Sequence, residues 1–247
     1  MEIIKSRSNE TVKLLRKLED KKYRKQFRLF LVEGRKMIDD CVRAGYNIQI
    51  LAVAQNKAQE YQKYFSHAQK AVILDDDVFE YASQTVTPQG ILAAVEIKIL
   101  SPSKPKADCV ILDNISDAGN VGAIIRTAAA AGIEDIYLIN CADVFSPKVV
   151  RSTMGGIFFA NLYEIDYDFL DEIAKNCELI GADMEGENFT GFEKKSNFAL
   201  IIGNEANGLS ETSRKKCARF ISIPMRNVES LNAAVSAGIL IYRLKNL

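Results

Sequence analysis

Residues 223–238 read IPMRNVESLNAAVSAG, and this run decides what kind of sheet the chain builds. It leaves a strand-like apolar segment at Pro224, crosses a polar loop, and enters a helical pattern at Leu231. Two earlier runs share that style, DNISDAGNVGAIIRTAAAAG at 113–132 and LIIGNEANGLSE at 200–211. In each, an apolar strand breaks into Asn, Gly, Ser or Glu and then becomes a helix. Apolar strands separated by helices predict a parallel sheet covered on both faces. Ligands of such sheets bind beyond the carboxyl ends of the strands, and all three turns are expected on that edge.

Working outward, the second half alternates throughout. Strands are expected at 109–112, 136–139, 179–182, 199–202 and 221–224, with helices at 121–131, 147–154, 167–175, 211–217 and 231–244. The first half opens with a helix capped near Ser8 or Asn9, carrying Val12, Leu15 and Leu18 on one face. Strands follow at 27–32, 48–54, 71–74 and 90–97, and helices at 35–44, ended by Gly45, and at 57–65. This predicts a small α/β sandwich. Ser101-Pro102-Ser103-Lys104-Pro105-Lys106 suits an exposed linker. The expected organisation is therefore a domain at 1–100, a linker at 101–107 and a second domain at 108–247.

Composition narrows the function classes. No apolar run approaches the roughly 20 residues that span a bilayer, and the start, MEIIKSRSNE, lacks a signal peptide's apolar stretch. The five cysteines form no CxxC, which points to thiols in a reducing cytosol rather than a disulfide frame or a zinc site. The net charge of zero hides an asymmetry. Residues 1–36 hold 12 Lys/Arg against 5 Asp/Glu, and the remainder 20 against 27. The densest stretch, Lys21-Lys22-Tyr23-Arg24-Lys25-Gln26-Phe27-Arg28, mixes cations with two aromatics. It reads either as a solvated helix face or as a surface for unpaired bases, and the C-terminal motifs favour the second.

Each turn carries candidate chemistry beside a plainer role. Asn120 in Gly119-Asn120-Val121-Gly122 is either a helix cap or a site residue, and the run is not the G-x-G-x-x-G of a dinucleotide fold. Arg126 stands on a smooth face between Ala123 and Ala130, either bound into an ion pair or presented to a ligand. Glu205, in Gly203-Asn204-Glu205-Ala206-Asn207-Gly208, follows a buried strand and needs a partner; Arg126 is the expected one. Ser230 suits a cap for the last helix, which is apolar all round and so expected to be buried within the domain or against another subunit. Asn232 inside it is expected to be a buried amide needing a contact. His67 is the only histidine and lies far from these motifs, which argues against a Ser-His-Asp triad or a histidine-rich metal site. Asp75-Asp76-Asp77 reads as a helix cap, and no P-loop occurs.

Taken in this order and spacing, the three runs resemble the signature motifs of the SpoU (TrmH) family of RNA ribose 2′-O-methyltransferases, of the SPOUT class. IIKSRSN, FLVEGRKMIDD and TPQGILAAV resemble the substrate-binding domain that precedes the catalytic domain in many members, so the resemblance covers nearly the whole chain. It implies an α/β SPOUT domain with a parallel sheet and a C-terminal trefoil knot, a homodimer, and S-adenosylmethionine bound in the knot without a metal. By motif position, Gly203, Ile223 and Leu231 would line the cofactor pocket, and Asn120, Arg126, Glu205, Ser230 and Asn232 would form the catalytic cluster. The implied substrate is structured RNA, ribosomal rather than transfer RNA, in the cytoplasm. Two departures stand out: Asp117-Ala118 replaces the family's common Asp-Pro, and Arg226-Asn227 fills a loop that often holds glycine. A different class, an RNA-binding or ribosome-assembly module that holds the cofactor poorly, is the alternative reading. An NAD-linked enzyme lacks its glycine fingerprint.

Overall fold

The computed structural model describes residues 3–98 and 100–247. Met1, Glu2 and Ile99, at the ends of the expected first domain, lie outside the described residues. The chain divides into two compact units, Met1–Lys98 with Phe145–Phe158, and Ile99–Val144 with Phe159–Leu247.

The first unit contains β1 (Ile3–Ile4), α1 (Glu10–Lys17), α2 (Lys21–Phe27), β2 (Leu29–Glu33), α3 (Arg35–Arg43), β3 (Ile48–Ala54), α4 (Ala58–Tyr61), β4 (Ala68–Leu74), α5 (Asp76–Ala82) and β5 (Ile91–Glu96). The strands form one mixed sheet in the order β1-β4-β3-β5-β2. Asn9 caps α1 by accepting from the Thr11 amide at 2.9 Å, and Asp75 caps α5 from the Asp77 amide. Val12, Leu15 and Leu18 pack with Val78, Phe79 and Ala82 of α5 over Leu31, Ile50, Ala52, Leu74 and Leu92. The expected helix at 57–65 is instead short α4 flanked by 3-10 turns, and His67 is exposed at the end of the second. The expected strand at 27–32 starts late. Phe27 ends α2, and Arg28 reverses the chain in a left-handed conformation, φ 55°.

Phe145–Phe158 completes this unit from a distance in sequence. It carries α7 (Pro147–Ser152), whose Ser146 cap and Pro147 start fix the first turn. Phe30 of β2 meets Phe145 at 5.1 Å and Phe158 at 6.3 Å between ring centroids, and Phe158 meets Tyr46 edge-on at 5.1 Å. Gly155, at φ 95°, lies so close to Asp40 that an added Cβ would stand 2.1 Å from its carboxylate oxygen.

The second unit holds β6 (Cys109–Asp113), α6 (Ala118–Ala130), β7 (Asp135–Ile139), β8 (Asn161–Glu164), α8 (Phe169–Ala174), β9 (Glu178–Asn188), β10 (Phe198–Ile202), α9 (Glu211–Lys216), β11 (Arg219–Ser222) and α10 (Ala233–Lys245). Its six strands are parallel throughout, in the order β11-β9-β10-β6-β7-β8. One face buries Ile111, Tyr137, Ile139, Leu179, Ala199 and Ile201 beneath Leu170 and Ile173 of α8. On α10 and α6, Gly238 and Thr127 face one another, an added Cβ at Gly238 lying 3.7 Å from the Thr127 methyl. The 101–106 segment is pinned rather than free. Tyr137 donates to the Ser103 carbonyl at 2.6 Å, Asn176 to the Pro105 carbonyl at 3.0 Å, and Lys104 pairs with Glu172 at 2.8 Å.

Candidate functional site

Three carboxyl-end loops of the second sheet converge. Asp113, the last residue of β6, is fully buried and is satisfied from three sides. Its carboxylate accepts from the Asn114 amide nitrogen at 2.7 Å, the Tyr167 hydroxyl at 3.0 Å and the Ser210 backbone N–H at 2.9 Å. Asn204 donates its side-chain amide to the Asn114 carbonyl at 3.1 Å. These bonds staple the loop after β6 to the loop after β10. Sequence reasoning gave none of Asp113, Asn114, Tyr167 or Asn204 a role; the available signal was an Asp-Asn pair ending an apolar strand, where a buried carboxylate needs donors.

The loop after β10 folds into a compact turn. Asn204 and Gly208 exchange backbone hydrogen bonds of 2.9 and 2.8 Å, and the Asn204 side chain accepts from the Ala206 and Asn207 amides. A Cβ on Gly203 would stand 2.3 Å from the Gly208 carbonyl carbon, so only glycine fits there. β9 contributes through an irregularity. Its register with β11 jumps from Phe220 opposite Gly181 to Ile221 opposite Glu187, which pushes the intervening residues out of the ladder. Gly186 permits this, since an added Cβ would lie 2.6 Å from the Ile221 nitrogen.

These loops and the segment before α10 enclose a cleft of about 540 Å³. Gly203, Ile223 and Leu231 line it together, with Glu205 and Ser230. Arg226 and Asn227 are exposed and lie outside the lining, while their neighbours Met225 and Glu229 belong to it.

Beside the cleft runs a chain of side-chain amides. The Glu205 carboxylate accepts from the amide nitrogen of Asn120, whose oxygen accepts from Asn232 at 2.8 Å. The Asn232 oxygen caps α10 through the Ala234 and Val235 amides at 2.9 and 3.3 Å. A carboxylate only accepts, so the orientation of each amide follows from the one before it. Asp117 caps α6 through the Asn120 N–H at 2.9 Å, which sets Asn120 between Glu205 and Asn232, outside the cleft lining.

The expectations for Glu205 and Asn232 need correction. Glu205 is exposed and pairs with Asn120, not Arg126, because the glycine turn delivers it to the first turn of α6. Arg126 is exposed, lies outside the cleft lining, and its side chain has no hydrogen bond or ion pair among the described residues. Asn232 is an exposed cap rather than a buried amide, and it takes the capping role expected of Ser230. The last helix is also only partly buried, with Val235 50% and Tyr242 41% exposed.

The electrostatics favour a cationic ligand. Asp183, Glu185, Glu205 and Glu229 line the cleft against Arg214 alone. Arg214 is already bound to Asp183 and, at 3.3 Å, to Glu185, and these contacts raise its pKa. Burial pushes the nearby Cys217 thiol up to about 12 and Cys141 to about 11, which keeps both protonated near neutrality. S-adenosylmethionine carries a sulfonium and an ammonium against one carboxylate. The acidic rim, the apolar walls of Ile202, Ile223 and Leu240, and the backbone-lined turn at Gly203 fit that molecule. Among the described residues, no cluster of three or more His, Cys, Asp or Glu side chains is arranged to hold a metal, and no helix is long and apolar enough to cross a membrane.

A cofactor-sized cleft at the carboxyl edge of a parallel sheet defines an α/β ligand-binding protein whose reactive groups are supplied by loops. Residues 108–242 match the SpoU rRNA Methylase family, and residues 9–93 match the MRM3-like substrate binding domain. The chain belongs to the SpoU family. It is 30% identical to the Bacillus subtilis 23S rRNA (guanosine(2553)-2′-O)-methyltransferase RlmP, over 99% of this chain and all of that one. It is 28% identical to a 23S rRNA (uridine(2479)-2′-O)-methyltransferase from Streptomyces viridochromogenes, over 86% of this chain and 81% of that one. Among solved structures, an AdoMet-bound rRNA methyltransferase from Sinorhizobium meliloti matches with a TM-score of 0.86 and 27% identity, over 98% of this chain and 96% of that one. The AdoMet complex of the SpoU methyltransferase AviRb from Streptomyces viridochromogenes matches at 0.86 and 26% identity, over 96% and 97% of the two chains.

Proposed function

We propose that this protein transfers a methyl group from S-adenosylmethionine to a ribose 2′-hydroxyl of structured RNA, and that the RNA is ribosomal. The observation that carries the reading is the single cleft in which Gly203, Ile223, Leu231, Glu205 and Ser230 meet, beside the Asn232–Asn120–Glu205 chain. Two relatives named as 23S rRNA 2′-O-methyltransferases support the substrate class.

The cofactor supplies an activated methyl on a sulfonium; the protein's task is to align the ribose oxygen with it. Gly203, Ile223 and Leu231 hold the cofactor, largely through backbone and apolar surface. The Asn120 amide, fixed by Glu205 and Asn232, positions the ribose, and Ser230 holds the loop against it. Arg126, whose side chain has no partner of its own among the described residues, meets the substrate phosphate and stabilises negative charge growing on the 2′-oxygen as its proton passes to water. An arginine is a poor base, since its pKa lies above about 12, so charge stabilisation is its role.

The wider organisation follows the family. Residues 1–100 supply the α/β domain that grips RNA, 101–107 the connection and 108–247 the SPOUT domain, except that Phe145–Phe158 packs into the first unit. The C-terminal segment of the SPOUT domain is threaded as a trefoil knot. In support, Arg243 near the end of α10 donates to the Phe189 and Thr190 carbonyls, and Lys245 reaches Asp108 at 3.3 Å. The protein acts as a homodimer through the exposed apolar side of α10, where Val235 and Tyr242 stand. It works in the cytoplasm, in keeping with five free thiols.

Calorimetric titration with S-adenosylmethionine, with NAD as control, tests the reading. Saturable binding of about one per chain, lost in Leu231→Asp, is expected, followed by ribose-methylation mapping on ribosomal RNA. A folded protein that ignores the cofactor would overturn it.

A further inference from the structure

We propose that the first unit holds unpaired nucleotides of its RNA on two aromatic–cation stations, fed by one turn of α1; this rests on the reading of the protein as an RNA methyltransferase. The first station is on α2. Tyr23 and Phe27, four residues apart, stack with centroids 6.4 Å apart and planes 20° apart, and Phe27 is 40% exposed. The Lys17 ammonium stands 5.4 Å from the Tyr23 centroid and that of Lys22 stands 5.8 Å away. The second station is Tyr81 on α5, 41% exposed, with the Arg7 and Arg16 guanidinium groups 5.0 and 5.2 Å from its ring. Arg16 and Lys17 are neighbours in the last turn of α1, so that turn serves both rings.

Around the first station, the side chains of Lys21, Lys25 and Arg28 are exposed and make no ion pair or hydrogen bond among the described residues. Arg24, in the middle of the same run, differs from them. It is 4% exposed and donates to the Leu18 and Glu19 carbonyls at 2.9 and 2.6 Å, locking α2 onto the end of α1. The platform is therefore preorganised before anything binds.

The chemistry selects the partner. Exposed flat rings accept the π-face of any base, and unpaired cations neutralise phosphates. A duplex keeps its base faces stacked on one another, so it offers the rings nothing. The occupant is an unpaired or bulged RNA segment.

The test is fluorescence anisotropy of the full-length protein with a labelled single-stranded RNA and with the same strand annealed to its complement. The single strand is expected to bind about tenfold tighter than the duplex, and Tyr81→Ala and Phe27→Ala each to weaken it by about tenfold. Tyr81→Phe retains the affinity, since the ring remains. Equal binding of strand and duplex overturns the proposal. So does retention of affinity in both alanine variants while Lys21→Glu/Lys25→Glu loses it, which would mean phosphate contact alone. Absence of any RNA binding, with a protein captured on the rings instead, also overturns it. Thermal melting checks the fold of each variant. A cofactor titration on the same samples reads the methyltransferase assignment separately, because no station residue lines the cleft.

Discussion

Asn120 joins two loops through one amide. Its nitrogen is committed to Glu205 and its oxygen to Asn232, so its orientation is fixed. Asn120→Ala is expected to lower kcat by about 10²-fold with little change in cofactor affinity, read by single-turnover methylation and calorimetry. Asn120→Asp should be worse than alanine, because it sets a second carboxylate against Glu205. Arg126→Lys, read the same way, should cost at least about tenfold in kcat, because a lysine lacks the planar fork. Gly203→Ala forces the turn apart and should destabilise the fold by about 1–3 kcal/mol while abolishing cofactor binding. The buried thiols give a pH prediction. Cys41 and Cys217 are pushed to about 12, against an ordinary thiol value of about 8.5. The folded state therefore keeps protons that the unfolded state gives up. Stability is full below about pH 8.5 and falls as pH rises toward 12, which denaturation midpoints across that range would reveal. At this scale Gly203, Ile223 and Leu231 are named by the resemblance to the family's motifs, and they meet in one cleft. The Asp113–Ser210 and Asn204–Asn114 staples were not legible, because they depend on β6 and β10 being neighbours.

Among elements, the strands richest in apolar residues were readable and the shortest were not. β8, with only Asn-Leu-Tyr-Glu, offers too few residues to show a period, and β1 fewer still. α2 was legible only as one of two alternatives, a solvated helix face, because its Tyr23–Phe27 spacing sits among charges. β9 outran its expected end because the bulge before Glu187 carries it past the polar Asp183 and Glu185. For α10 the cap matters: Asn232→Ala removes the acceptor for two amides and should cost about 1 kcal/mol in thermal or chemical unfolding, beyond any effect on catalysis. The proposed dimer predicts that Val235→Glu gives a folded monomer in sedimentation, since a charge would have to be buried across that interface.

For the whole molecule, the charge asymmetry sets a salt dependence. RNA affinity should drop by orders of magnitude between low and moderate salt, with the slope reduced when Lys21 and Lys25 are removed. The alternation of strand and helix made the parallel sheet readable, since periodicity reports burial. The assignment of Phe145–Phe158 to the first unit was unreadable, because nothing local in that run says which sheet it covers.

That assignment has a consequence in time. A chain made from its N-terminus folds domain by domain as it emerges, at about 5–20 residues per second. Here the first unit is still missing its cover for Phe30 and Tyr46 after Lys98 has been made. By the time Phe158 appears, β6, α6 and β7 of the second unit are already out. Synthesis thus holds the earlier half open for several seconds and finishes it with residues borrowed from the later half, so the nascent protein cannot mature one unit at a time.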